Sequence, residues 1–441
     1  MRILAFLCTG IVWLTLPLQA QNSGPVQDTL PRGSSLADCV QYALLHRPML
    51  QQSRLDEEIT RKEIAIQFSD WLPHLSFSAY VQRNTQPPVS LIGGSPVPTL
   101  LAYSSSGQFT ASQVLFDRDV LLAASTAGDL REQSTDRTES SAIDVIVNVS
   151  KAYYAVLLTQ EQIALLNEDT VRLAQSLKDA RSQYESGTVD KIDFKRATIA
   201  LNNARAEEQQ TEELLKARYR FLQQQMGYPG DRQFVLARDT AGLEQDIALD
   251  TTRTPQYDKR IEYQLLQVQK RLLEANVTYN TLSFFPSISL FGSFNLNFQD
   301  NHLAGIFSHN YPSSWFGVQL TLPILEGGKR IFQLGEAKNE LQRVEYDLNE
   351  LQQSIDAEFA QAMAQYKGSL NNYHTLRQNL ALAGEVYKTV QLQYKAGTKA
   401  YLEVITAETD LRTAQANETD ALYQVLSSKL DVLRSLGAIH D

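Results

Sequence analysis

Tyr184-Glu185-Ser186-Gly187-Thr188-Val189-Asp190-Lys191-Ile192-Asp193 and Tyr394-Lys395-Ala396-Gly397-Thr398-Lys399-Ala400-Tyr401-Leu402-Glu403 are two versions of one phrase. Each is a Tyr-x-x-Gly-Thr turn, and each places an acidic residue five positions after the threonine, in the first turn of a following helix. Glycine at such a turn supplies the left-handed conformation that ends a helix. Long stretches without proline flank both turns: none occurs between Pro98 and Pro229, nor after Pro323. The two turns lie about 210 positions apart, nearly half the chain, which is the signature of a duplication.

What surrounds the turns is repeated in the same order: helix, strand, strand, long helix, turn, long helix. Residues 36–71 read as helix, interrupted near Arg47-Pro48. From His74 the period becomes two, with Leu75, Phe77, Ala79 and Val81 on one side and His74, Ser76, Ser78, Tyr80 and Gln82 on the other. In the second half Ile288, Leu290, Phe294, Leu296 and Phe298 alternate with Ser287, Ser289, Ser293, Asn295 and Asn297. Phe316, Val318, Leu320 and Leu322 alternate with Trp315, Gly317, Gln319 and Thr321. The pattern predicts strands over about 74–86, 106–116, 286–299 and 314–323, and coils over about 119–184, 190–227, 328–394 and 400–436. Leu341, Val344, Leu348, Leu351, Ile355, Phe359, Tyr366, Leu370 and Tyr373 keep the three-and-four spacing of a coiled-coil seam. At ~1.5 Å per residue the third coil reaches on the order of 100 Å, too long for the inside of a compact domain. Residues 21–227 and 256–441 thus form two repeats, joined by an irregular belt over 228–255.

The N-terminus reads as an export signal over residues 1–20: Arg2, a short apolar core, and Leu18-Gln19-Ala20 before the cut. Beyond that leader Cys39 stands alone, so no internal disulfide is expected, and its apolar helical context points to a buried thiol. A net charge of −10 over 441 residues argues against a nucleic-acid partner, which would call for a basic stripe.

Three features set the strands apart from an ordinary sandwich. They have the length of outer-membrane strands. Their polar faces carry Ser, Asn, Gln and Thr with almost no charge, as a water-filled lumen requires. Aromatic residues gather near their ends (Trp71, Tyr80, Tyr103, Phe116, Phe284, Phe285, Trp315), where an interfacial girdle would sit. Leu75, Phe77, Ile288, Leu290, Phe294, Val318 and Leu320 are then expected to face outer-membrane lipid. Four strands cannot close a barrel, and an open edge in lipid leaves backbone groups unsatisfied. The barrel must therefore be shared between subunits, in a number this physics does not fix.

Further motifs carry a family resemblance: Leu72-Pro73 and Phe285-Pro286 before the first strand of each half, Val114-Leu115-Phe116 and Pro323-Ile324-Leu325 ending the second, and the opening Ser35-Leu-x-x-Cys39-Val-x-Tyr42-Ala43. With the two turns, they make the mature chain resemble a TolC-type outer-membrane efflux protein along essentially its whole length. The resemblance implies a homotrimer: a twelve-stranded β-barrel in the outer membrane of a Gram-negative bacterium, continued by a long α-helical tunnel into the periplasm. There the tunnel would meet a periplasmic adaptor and an inner-membrane pump, such as an RND transporter or an ABC exporter. It also implies a gate at the coil tips, around the turns Gly187-Thr188 and Gly397-Thr398. Carried over by position, Asp193 faces Lys399 and Tyr394, and Glu403 takes the place of an inward-facing acid. Thr406 stands where some relatives have a second acid.

Signatures of an enzyme are missing. Neither G-x-S-x-G nor G-x-G-x-x-G occurs, and Gly327-Gly328-Lys329-Arg330 lacks the spacing of a phosphate loop. The six histidines are scattered without metal spacing, His74 reads as a polar lumen residue, and Glu57-Glu58 as a helix surface. No catalytic, cofactor or metal site is expected. The expected role is the passive exit duct of a tripartite pump for small molecules. The alternatives are the outer-membrane component of a type I protein secretion system, or a periplasmic coiled-coil scaffold that is no channel.

Overall fold

The structure, a computed structural model, describes residues 30–31, 33–86, 88–187, 190–237 and 240–439. The expected leader and Thr188 lie outside the described residues.

Helix α1 (Leu36–His46) starts at a capping box: the Ser35 N–H donates to the Asp38 carboxylate at 2.8 Å, and the Asp38 N–H donates to the Ser35 hydroxyl at 3.3 Å. Pro48 then opens α2 (Pro48–Ser69), where a proline has no helical hydrogen bond to lose. Strands β1 (His74–Arg83), β2 (Val89–Ile92), β3 (Ser95–Pro98) and β4 (Tyr103–Phe116) lead into α3 (Arg118–Glu185) and α4 (Lys191–Met226). After a belt containing the short α5 (Thr240–Gln245), the order returns: α6 (Ile261–Leu282), β5 (Ser287–Asp300), β6 (Ser313–Thr321), α7 (Lys329–Lys395) and α8 (Tyr401–Ser435). The lengths match across the halves. Helices α2 and α6 have 22 residues each, α3 and α7 have 68 and 67, and α4 and α8 have 36 and 35, so the duplication extends to whole elements.

Strands β1, β4, β5 and β6 form one sheet in the order β1-β4-β5-β6, every neighbour antiparallel. The helices all join it at one end. Leu115 forms a bulge: Val114 pairs with Ser289, yet Phe116 pairs with Ile288. Strand β4 starts at Tyr103, earlier than the alternation suggested, because Tyr103, Ser104 and Ser105 pair fully with both neighbours. The loop before it holds the β2–β3 hairpin, a separate ladder with both Gly93 and Gly94 at positive φ. Pro96 and Pro98 hide β3 from a propensity reading; the Gly-Gly pair was its legible signal.

The core is a belt midway along the coils, not a domain centre. Cys39, Val149, Val156, Leu222, Met226, Val425 and Val432 are fully buried there. Burial pushes the Cys39 thiol up to about 12, which leaves it inert. The linker straps the belt: the Tyr366 hydroxyl donates to the Ile247 carbonyl at 2.8 Å, and Arg377 meets Glu244 at 3.0 Å. Arg260, 4% exposed, donates to the Ser435 carbonyl at 3.1 Å and pairs with Glu262 and Glu358 at 3.1 and 2.9 Å. Among the described residues one 18-residue stretch, in α3, is apolar enough to cross a membrane by composition, but 67% of it is buried inside the protein.

Candidate functional site

Two surfaces carry the function: the faces of the sheet and the tips of the coils. Register fixes the faces. Phe77 pairs with Phe109 and Phe109 with Phe294. Leu75, Ala111, Gly292 and Phe316 form the next row, and Gln113, Leu290 and Val318 the one beyond. Ile288 pairs with Leu320. This face is bare: Phe316 is 89% exposed and Leu75 74%. Contiguous apolar exposure of that extent marks a surface that something apolar covers.

The opposite face is knitted by side chains. Ser106 donates to the Asn297 amide oxygen at 2.9 Å, Gln108 to the Ser293 hydroxyl at 3.0 Å, and Asn295 to the Ser313 hydroxyl at 3.3 Å. Tyr80 and Trp315 lie on this polar face, paired with Ser106 and Ser293, and so stand apart from the girdle expected of them. Leu290 is the fourth residue of β5, near the helical end; Phe294 is closer to mid-strand.

At the tips the duplication is exact enough in backbone to compare bond by bond. Gly187 and Gly397 both have φ of 73°. Their N–H groups donate to the carbonyls of Tyr184 and Tyr394 at 3.0 and 2.9 Å. Thr398 adds the longer bond of a Schellman turn, its N–H donating to the Gln393 carbonyl at 2.9 Å. The side chains differ. Tyr184 stacks on Phe194 at 6.2 Å, whereas Tyr394 packs on Tyr401 at 5.4 Å. The Tyr394 hydroxyl donates to the Gln183 amide oxygen at 2.8 Å, tying α7 to α3. Burial, then the Asp193 and Asp179 carboxylates, raise the Tyr394 hydroxyl above the usual phenol range.

Within one protomer Lys399 turns to its own helix and pairs with Glu403 at 2.5 Å, while Asp193 lies 3.9 Å from Arg196. Tyr394 is thus brought to the first coil, and Lys399 and Glu403 to each other. No Asp193–Lys399 bond occurs among the described residues of the protomer. Thr406 caps nothing: its hydroxyl returns to the Leu402 carbonyl at 2.9 Å.

One constellation escaped the sequence reading. Some turns above the tips, Asp169 (1% exposed), Arg172, Glu408 (6% exposed), Tyr387 and Tyr401 meet among α3, α7 and α8. Arg172 bonds Asp169, lies 3.9 Å from Glu408 and covers the Tyr387 ring at 5.7 Å. A cleft of about 240 Å³ opens beside it, lined by Arg196, Glu408 and Arg412 among others. Asp169 and Arg172, three apart among seam leucines Leu166 and Leu173, were the signal available.

Burial pushes the Glu408 carboxyl up to about 7, against the pull of Arg172 and Arg412. A carboxyl raised on folding stabilises the fold below its unfolded pKa, and this contribution disappears as pH rises through the folded value. Between about pH 4.5 and 7 the unfolded chain ionises this carboxyl while the folded one keeps its proton, which should withdraw roughly 3 kcal/mol of coil stability at 1.36 kcal/mol per unit. Melting followed by helical circular dichroism should show the parent weaker at pH 8 than at pH 5. Glu408→Gln should flatten that difference, and an equal pH response in both proteins would refute the assignment.

A four-stranded sheet with one bare apolar face and one uncharged polar face, set on coils on the order of 100 Å long, defines one subunit's share of a membrane channel with an α-helical extension. The sequence matches the outer membrane efflux protein family over residues 39–228 and 240–438, and the chain belongs to that family. It is similar to outer membrane protein OprJ of Pseudomonas aeruginosa, 25% identical over 434 residues, spanning 95% of this chain and 88% of the relative. It is also similar to the alkaline protease secretion protein AprF of the same organism, at 21% identity over 405 residues, 89% of this chain and 82% of the relative. The fold superposes on the crystal structure of CusC with a TM-score of 0.76 at 17% identity, covering 94% of this chain and 97% of that one. The chain is an outer-membrane efflux channel protein with the duplicated barrel-and-tunnel fold, and its family is one of transport ducts.

Proposed function

We propose that three copies of this chain close a twelve-stranded barrel and serve as the passive exit duct of a tripartite pump. The observation that carries this reading is the open sheet. Strands β1 and β6 each have one unpaired edge, and they run in opposite directions because the sheet has four alternating strands. The β6 edge of one copy can therefore pair antiparallel with the β1 edge of the next, head to tail, until the ring closes. The apolar face, with Leu75, Phe77, Ile288, Leu290, Phe294, Val318 and Leu320, then meets lipid, and the polar face lines the lumen. The chain purified from outer membranes should be a homotrimer by light scattering in detergent. A monodisperse monomer with intact sheet signal would overturn the barrel.

The partners of such a duct are a periplasmic adaptor and an inner-membrane transporter of the RND or ABC class, and the cargo is small molecules. Similarity to the antibiotic efflux pump outer membrane protein ArpC of Pseudomonas putida, 23% identical over 419 residues, supports this; similarity to AprF supports protein secretion as the second reading. Deleting the gene should sensitise cells to small toxic compounds while secreted proteins still appear in the medium. Loss of a secreted protein with unchanged sensitivity would favour the second reading.

The gate lies at the coil tips. Lys399, held by Glu403 within its own helix, is close enough to the tip to exchange that partner for Asp193 of a neighbouring coil. Exposed pairs of this kind are worth only ~0–1 kcal/mol each. Repeated around the ring, they bias a closed mouth that an adaptor opens by binding the open form better. Asp193→Ala/Lys399→Ala should raise single-channel conductance in planar bilayers and leave trimer stability unchanged. Parent-like conductance in that variant would move the gate to Glu403 or to the Tyr394–Gln183 link.

A further inference from the structure

On the sheet face lined mostly by serine, threonine, asparagine and glutamine, with His74 and Tyr80 on β1, one neighbouring pair of aromatic rings stands out on β5 and β6. Phe291 of β5 and Trp315 of β6 pack edge to face, ring centroids 5.2 Å apart and planes at 67°. Their register partners fix the side they occupy: Phe291 pairs with Ser112 and Gly317, Trp315 with Ser293. Gly317 is what admits the phenyl ring, since a Cβ there would lie 3.0 Å from Phe291 Cζ. Packing over a glycine accounts for Phe291 alone. It leaves the Trp315 indole 48% exposed on a polar surface, away from the apolar face where an interfacial anchor belongs. No carboxylate or ammonium from the four strands shares this face between His74 and Gln82 or between Ser287 and Gln299, so any preference it has for solutes rests on its rings.

We propose that Phe291 and Trp315, repeated in each protomer, form a stacking surface on the channel wall for planar aromatic solutes, neutral or cationic. This rests on the reading that the polar face lines the lumen. The indole, 48% exposed in one protomer, attracts a flat ring by offset stacking and a cation through its quadrupole, and the edge-to-face contact with Phe291 steadies it. Binding of this kind is weak, and a duct requires weakness: a wall site must release what it holds. The pair would act as a specificity element, lengthening the stay of aromatic cargo near the middle of the barrel.

Trp315 reports on itself. In Trp13→Phe/Trp71→Phe no other tryptophan remains, and the trimer reconstituted in vesicles can be probed with three quenchers. Acrylamide in water should quench Trp315 freely, and bromine-labelled lipid should not. N-methylnicotinamide, a planar aromatic cation, should add a saturable component, and Phe291→Ser should weaken its apparent affinity by ~fivefold or more while the trimer stays intact. Quenching by acrylamide without a saturable component, or saturation unchanged in Phe291→Ser, would overturn the stacking surface and leave the lumen reading standing. Quenching by bromolipid instead of acrylamide would overturn both.

Discussion

Phe294→Arg should stop the chain from assembling in the membrane, while Ser289→Arg, on the same strand, should assemble normally and narrow the pore. Phe294 sits near the middle of β5, in a row with Phe109 and Phe77 whose rings are 4.7 Å apart, on the bare apolar face. An arginine at the bilayer midplane of a barrel costs ~2–4 kcal/mol, and a trimer bears that cost three times over. Leu290→Arg should be milder, because Leu290 lies toward the helical end, opposite Gln113, where the side chain can reach water. Heat-sensitive trimer bands in outer-membrane fractions measure all three. Equal loss in Phe294→Arg and Ser289→Arg would show that the faces are misassigned.

Arg260→Ala should unlock the equatorial belt. The guanidinium is buried where the chain enters α6, and it holds three elements at once: Glu262 on α6, Glu358 on α7 and the Ser435 carbonyl at the end of α8. Removing it leaves the Ser435 carbonyl without its donor and two partly exposed carboxylates without their counter-charge, together a cost of about 1–3 kcal/mol. Arg260→Lys keeps the charge but cannot bridge three acceptors with one planar fork, so it should recover only part of the loss. The expected result is a lower melting temperature and faster proteolysis of the belt, with the barrel trimer retained. Melting within a degree or two of the parent would show that Arg260 is incidental to the belt.

The fold was legible because its elements are long and periodic. Alternation over His74 to Gln82 and a seam of more than thirty residues in α7 leave little room for another assignment, and the repeated Gly-Thr turns tie the halves together. Less legible were features set by neighbours in space. Alternation puts Trp315 on the polar side while its place near a strand end suggests a girdle, and its pairing with Ser293 decides for the former. The partner of Lys399 depends on which acid its stem reaches first, and within the protomer that is Glu403. The ionic cluster around Glu408 is assembled from residues more than 200 positions apart, so no local pattern announces it. Phe291 interrupts a Ser/Asn face at a point where only the glycine across the ladder makes room.

Leu115, the bulge residue at the foot of β4, stands where two incompatible rhythms meet. A strand repeats every two residues and a helix every 3.6; between Phe116 and Arg118 the chain changes from one to the other with a single residue, Asp117, between them. Deleting Leu115 would leave the ladder unbroken, with Phe116 following Val114 directly and still pairing with Ile288 on the same side of the sheet. Phase is thereby kept: α3 still begins two residues after Phe116, and Val145, Val149 and Val156 stay on the face they bury. The bulge is slack in the chain: one surplus residue is taken up at the foot of the strand and is not passed on to the coil that follows.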